Sequence, residues 1–196
     1  MKSIYAVIFT LFIATYSIHA IGQSLQIDDK VEYVQLGPML TYFIEFDKSL
    51  DIADIKKLEN LTSPNHTTHL GKIAYLQGEY WHEKEAWNKA INLLKTATIY
   101  LEEDTSELLY LAESYLLLGS CYHDLEEFDT SLAYYQQSLE LKQKIYDKPH
   151  IKLSYSYFNI GYLLQEKEQF IKSDEAFEKG LDILKNIYPT ENVKFA

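Results

Sequence analysis

The sequence predicts an all-α protein: an α-solenoid of three stacked helix–turn–helix pairs, preceded by a small N-terminal segment that reads as a β-hairpin plus helix or as a helical cap. Three observations carry this. The chain resembles itself at an interval of 42 residues, its apolar residues fall three and four apart, and small residues alternate with aromatics at one phase of each copy.

Taken from the start, "MKSIYAVIFTLFIATYSIHAIGQS" opens with Lys2, runs apolar from Ile4 to about Ala14, and ends with Ala20 and Gly22 before Gln23. That is the layout of a cleavable signal peptide over residues 1–22, so the mature chain is expected to be exported, periplasmic or secreted. The alternative is a retained anchor through residues 4–21. Thr10, Thr15, Ser17 and His19 interrupt that run, and a spanning helix needs about 20 apolar residues.

Residues 23–65 admit two readings. "VEYVQL" and "LTYFIEF" flank Gly37-Pro38 as in a β-hairpin, and "SLDIADIKKLENL" then reads as a helix capped by Ser49 or Asp51. An all-helical cap on the solenoid fits equally. "NLT" at 60–62 and "NHT" at 65–67 are glycosylation sequons, relevant only in a eukaryotic source.

The repeats follow, at about 66–104, 105–147 and 148–189. Ungapped alignment of 106–147 on 148–189 superposes Leu111 on Leu153, Ser114 on Ser156, Tyr115 on Tyr157, Gly119 on Gly161 and Glu126 on Glu168. Phe128, Ser131, Leu139, Ile145 and Tyr146 likewise fall on Phe170, Ser173, Leu181, Ile187 and Tyr188. The earlier copy is weaker, with Leu70, Gly78, His82 and Glu85 in register with Leu111, Gly119, His123 and Glu126, and Gln77 where the others have Leu118 and Ile160.

Each copy reads as two helices. In the middle one Leu108, Leu111, Tyr115, Leu118 and Tyr122 mark the first; Phe128, Leu132, Tyr135, Leu139 and Ile145 mark the second. Between them "HDLEEF" offers Asp124 and Glu127 as a capping box. "EEDTSE" and "YDKPH" break the chain between copies, with Pro149 expected in a first helical turn, where its missing N–H is harmless. Glycine inside a helix costs about 1 kcal/mol relative to alanine. Its recurrence at one phase, with Ala90, Ala97, Ser131, Ser138, Ser173 and Gly180, therefore implies close approach of the paired helices. Residues 190–196 fall in the register of the third copy's start, so they read as the beginning of an incomplete further repeat, and the chain as a candidate fragment of a longer protein.

Leu118-Gly119, Tyr122, Phe128, the small residue at 131, the aromatic at 135 and the small residue at 138 resemble the tetratricopeptide repeat. The longer period is similar to the kinesin-light-chain variety, also found in bacterial signalling and scaffold proteins. The resemblance covers about residues 66–188 and departs from the usual alanines at Ser131, Ser138 and Ser173. It implies antiparallel helix pairs in a right-handed superhelix, whose first helices line a concave, ligand-facing surface. On the matching positions, partner-contact residues would be Tyr75, Glu79, His82, Leu116, Ser120, His123, Tyr155, Phe158, Tyr162 and Gln165, with Lys72 and Glu113 beside them. The repeated Lys and Asn with which some family members clamp a C-terminal carboxylate are missing. Packing against further repeats is the other use of Tyr155, Phe158 and Tyr162.

The function this implies is a non-enzymatic scaffold that binds a peptide or protein segment outside the cytoplasm. The alternative, which the resemblance also implies, is a truncated sensor or regulatory region of a membrane-bound signal-transduction protein, since larger exported members often carry a membrane segment and signalling output after such repeats. A membrane partner is expected only for a retained signal segment or a fragment. A net charge of −11 argues against nucleic acid as partner. His66, His69, His82 and His123 lack the convergence a zinc site needs and are expected at the surface; no metal or cofactor is expected. Cys121 is expected as a buried, inert thiol. No nucleophile–base–orienter set, phosphate loop or dinucleotide fingerprint occurs, so no catalytic residue is named.

Overall fold

The computed structural model describes residues 67–189, within a unit spanning residues 63–196. The signal peptide or anchor, the 23–65 segment with its hairpin and helix readings, Asn60, Asn65, His66 and residues 190–196 lie outside the described residues. Among the described residues there are six α-helices and no strand. They are α1 (Thr67–Glu83), α2 (Trp87–Leu101), α3 (Leu108–Asp124), α4 (Phe128–Ile145), α5 (Ile151–Glu166) and α6 (Phe170–Ile187), with a 3₁₀ turn at Thr105–Glu107 before α3. α1 packs on α2, α3 on α4 and α5 on α6; α2–α3 and α4–α5 contacts stack the pairs. The fold is a tetratricopeptide-like helical-repeat solenoid.

The small residues set the distance within each pair. A Cβ added at Gly78 would lie 2.6 Å from Leu94, one at Gly119 would lie 2.5 Å from Tyr135, and one at Gly161 would lie 2.8 Å from Phe177. Leu94, Tyr135 and Phe177 occupy one repeat position, so the three glycines have equivalent surroundings. The serines that depart from the usual alanine are buried donors: Ser131 Oγ bonds the Gly119 carbonyl and Ser173 Oγ the Gly161 carbonyl, each at 2.8 Å. A second crossing alternates its donor. Ser138 on α4 donates to the Ala112 carbonyl at 2.7 Å, whereas one repeat later Ser154 on α5 donates to the Gly180 carbonyl at 2.8 Å. Gly71 and Ala97 stand at this crossing in the first pair and bring no hydroxyl. A hydroxyl buried at either crossing thus has a partner, which removes the penalty of desolvating it.

The turn within each pair corrects the expected capping box. Asp124 is the last residue of α3, and Glu127 precedes α4 without a side-chain cap bond. Instead Glu126 takes a left-handed conformation (φ 60°), and the N–H groups of Glu126 and Glu127 donate back to the His123 and Tyr122 carbonyls at 2.8 Å each. This is the Schellman arrangement, which satisfies the last carbonyls of a helix and usually uses glycine. Glu85 (φ 56°) and Glu168 (φ 57°) repeat it. Pro149 lies just outside its helix: His150 is the N-cap of α5, its Nδ1 accepting from the Lys152 N–H. Asp104 caps the 3₁₀ turn through Ser106 and accepts from Thr68 of α1 at 2.8 Å.

Leu94, Leu101, Leu118 and Leu163 are fully buried, each contributing about 1.5–3 kcal/mol of transfer free energy. A second cluster spans the last two pairs, with Tyr135 and Leu139 of α4 against Leu153, Ile160, Leu163 and Leu164 of α5 and Ala176 of α6. No described helix is long and apolar enough to cross a membrane.

Candidate functional site

The first helices α1, α3 and α5 carry every predicted contact residue, and the structure divides those residues into three groups. One group is committed to packing. Tyr75 is buried, its ring 6.1 Å from Tyr110 and its hydroxyl donating to Glu79 at 3.2 Å; burial pushes its pKa up. Leu116 packs against the second cluster. Phe158 fills the space over Gly180, where an added Cβ would lie 2.4 Å from its ring, and it tilts against Phe177. Tyr75, Leu116 and Phe158 occupy one repeat position, the inward side of the first helix.

A second group ties neighbouring repeats together. His82 Nε2 and Ser120 Oγ share a hydrogen bond at 2.9 Å, and His123 Nε2 meets Glu166 Oε2 at 2.5 Å. The two histidines stand at one repeat position and reach the next first helix alike, so they are bridges. Burial lowers the pKa of His82, against an opposing pull from Asp124 and Glu83. Glu113 sits between two ammoniums, Lys142 at 3.3 Å and Lys152 at 2.8 Å. Burial raises its pKa, but the lysines outweigh this and hold the carboxyl below its ordinary value. Lys142 is itself 2 % exposed, and desolvation lowers its pKa against the pull of Glu113. Lys72 pairs with Glu107 at 2.6 Å and lies over the Tyr110 ring. Residue spacing carries no signal for the burial of Lys72 and Lys142, because lysine is ordinarily a surface residue.

Tyr155, Tyr162 and Gln165 remain exposed on α5. Tyr155 is 56 % and Tyr162 61 % exposed, the latter edge-on to Phe177 with ring centroids 5.1 Å apart. Their counterparts one repeat earlier are Glu113 and Ser120, both engaged in the bridges above. The arrangement offers two amphipathic rings two helical turns apart, with Tyr162 backed by Phe177 and Phe177 in turn by Phe158. Such rings can bury large area at small entropy cost.

Among the described residues no group of three metal-ligating side chains converges. Cys121 is buried, and burial pushes its thiol up to about 12, far from a reactive thiolate.

Residues 110–186 match the family model of the tetratricopeptide repeat. Among solved structures, the chain is similar to one titled "Crystal structure of MamA", at 20 % identity and a TM-score of 0.58 over 80 % of each chain. A second, "Crystal structure of MamA protein", gives 20 % identity and a TM-score of 0.57, covering 81 % of this chain and 76 % of that one. At this identity the likeness shows the fold alone. No curated protein matches the chain.

Proposed function

We propose that this chain is a non-enzymatic scaffold that holds a peptide or protein segment along the first-helix face of its last pair. The observation that carries this reading is the exposure of Tyr155 and Tyr162 at positions whose counterparts, Glu113 and Ser120, are spent on joining repeats. The tetratricopeptide-like fold supports it, because such repeats serve generally as protein-binding surfaces. Gln165, beside Tyr162, adds an amide that can donate to and accept from an extended backbone. Export outside the cytoplasm belongs to the same proposal and rests on the sequence of residues 1–22; N-terminal sequencing of the expressed protein should find Gln23 first, and Met1 would contradict it.

Selection of random peptides displayed on phage against the purified chain tests the contact face. Selected peptides should bind Tyr155→Ala/Tyr162→Ala about 10-fold or more weaker than wild type, the loss of a typical aromatic anchor. Lys172→Ala, on exposed α6, should leave binding unchanged. Peptides indifferent to the double substitution, or none enriched, would contradict the reading. Circular dichroism should stay the same, since both rings are exposed.

A further inference from the structure

α6 packs on α5 and buries Ser173, Ala176 and Gly180 along one side. On its other flank Phe170 is 59 %, Ile171 79 %, Leu181 47 % and Tyr188 62 % exposed, four of the seven large apolar side chains exposed among the described residues. Such a concentration on one helix marks an interface. At roughly 3.6 residues per turn, Phe170, Asp174, Leu181, Lys185 and Tyr188 fall within about 60° of one another, bordered by Ile171 and Glu178. From one end of the helix to the other, this stripe runs aromatic, acid, leucine, base, aromatic.

That order is complementary to itself when reversed, and we infer that α6 pairs with α6 of a second copy of this chain, antiparallel about a two-fold axis between Glu178 and Leu181. The register sets the partner's Tyr188 against Phe170 and Ile171, and the partner's Lys185 against Asp174. Leu181 meets the partner's Phe177 near the axis, and Glu178, at the border, keeps its carboxylate in water. A parallel pairing of the same stripe would put Asp174 on the partner's Asp174 and Lys185 on the partner's Lys185, so charge selects the antiparallel one. Lys185 forms an ion pair with Asp182 of its own helix at 2.8 Å, but both side chains are largely exposed and such a pair holds too weakly to prevent the exchange. One helix of 18 residues offers less than the roughly 800 Å² per partner of a standard interface, so the dimer should be weak, in the micromolar range, and follow concentration. Tyr155 and Tyr162 lie on α5 outside the stripe, so dimer and bound peptide use different side chains.

Sedimentation of the full chain from low micromolar to millimolar concentration tests this. Wild type should pass from monomer to dimer, and Leu181→Asp should stay monomeric. Asp174→Lys and Lys185→Asp should each weaken the dimer about 10-fold or more, since each sets like charges together twice across the axis. Both changes in one chain restore opposite charges only in the antiparallel arrangement, so that variant should dimerise within about threefold of wild type. Asp174, Leu181 and Lys185 are all exposed, so circular dichroism should show every variant folded. A monomer at every concentration would assign the face to another occupant, a different protein or a further segment of this chain, and overturn the inference. A dimer indifferent to Leu181→Asp would place the contact elsewhere, and one that the double variant fails to restore would not be antiparallel; either result overturns it as well.

Discussion

Gly119 and Glu126, seven residues apart on either side of one helix end, show how much single backbone positions decide here. At Gly119 the buried Tyr135 ring leaves no room for a methyl group. Gly119→Ala should therefore destabilise by up to about 2 kcal/mol in urea unfolding, an overpacking cost of about 1–3 kcal/mol outweighing the roughly 1 kcal/mol gained in helix propensity. A stabilised variant would mean that the pair can separate at little cost. Glu126 makes the opposite prediction. A left-handed conformation costs a side-chain-bearing residue about 1–2 kcal/mol, so Glu126→Gly should stabilise by about 1 kcal/mol while Glu126→Ala should not. The glycines were legible in the sequence because repetition at one phase has no other economical cause. The left-handed glutamates were not, because glutamate carries no turn signal and "HDLEEF" reads more naturally as a cap.

Between elements, the charged bridges outweigh what a helical wheel can show. Glu113→Gln would leave Lys142 buried without its counter-charge and should cost about 3 kcal/mol, seen as a lower urea midpoint. The same pair sets an acid limit. The Glu113 carboxyl is held below its ordinary value of 4.5, so its stabilisation is complete above that pH and fades as pH falls through the lower, folded value. His82 adds a second slope at milder pH. Its folded pKa lies below the ordinary 6.5, so the unfolded chain takes up the proton first, and stability is lost as pH drops from about 6.5. In stability measured from pH 7.5 to 5, His82→Gln should flatten this slope; an unchanged slope would assign it elsewhere. Tyr75, Leu116 and Phe158, expected among the contact residues, are engaged in packing for a related reason. Whether one side of a first helix is groove or interior depends on how the neighbouring helix crosses it, which residue spacing alone leaves open.

At the scale of the whole molecule, a stack of pairs that touch only their neighbours spreads its stability over successive interfaces. The three-pair architecture was readable in full from the repeat, and its glycines meet equivalent partners in all three copies. What the sequence could not convey is which copies spend their first-helix side chains on each other. The first two do, through His82–Ser120, Glu113–Lys152 and His123–Glu166, and α5 does not spend Tyr155 or Tyr162 in this way. Amide chemical-shift mapping of the ¹⁵N-labelled chain with a phage-selected peptide tests this most directly. The largest changes should cluster on α5 from Tyr155 to Gln165 and spare α2. Changes centred on α2, or spread evenly over all six helices, would contradict a binding face on the last pair.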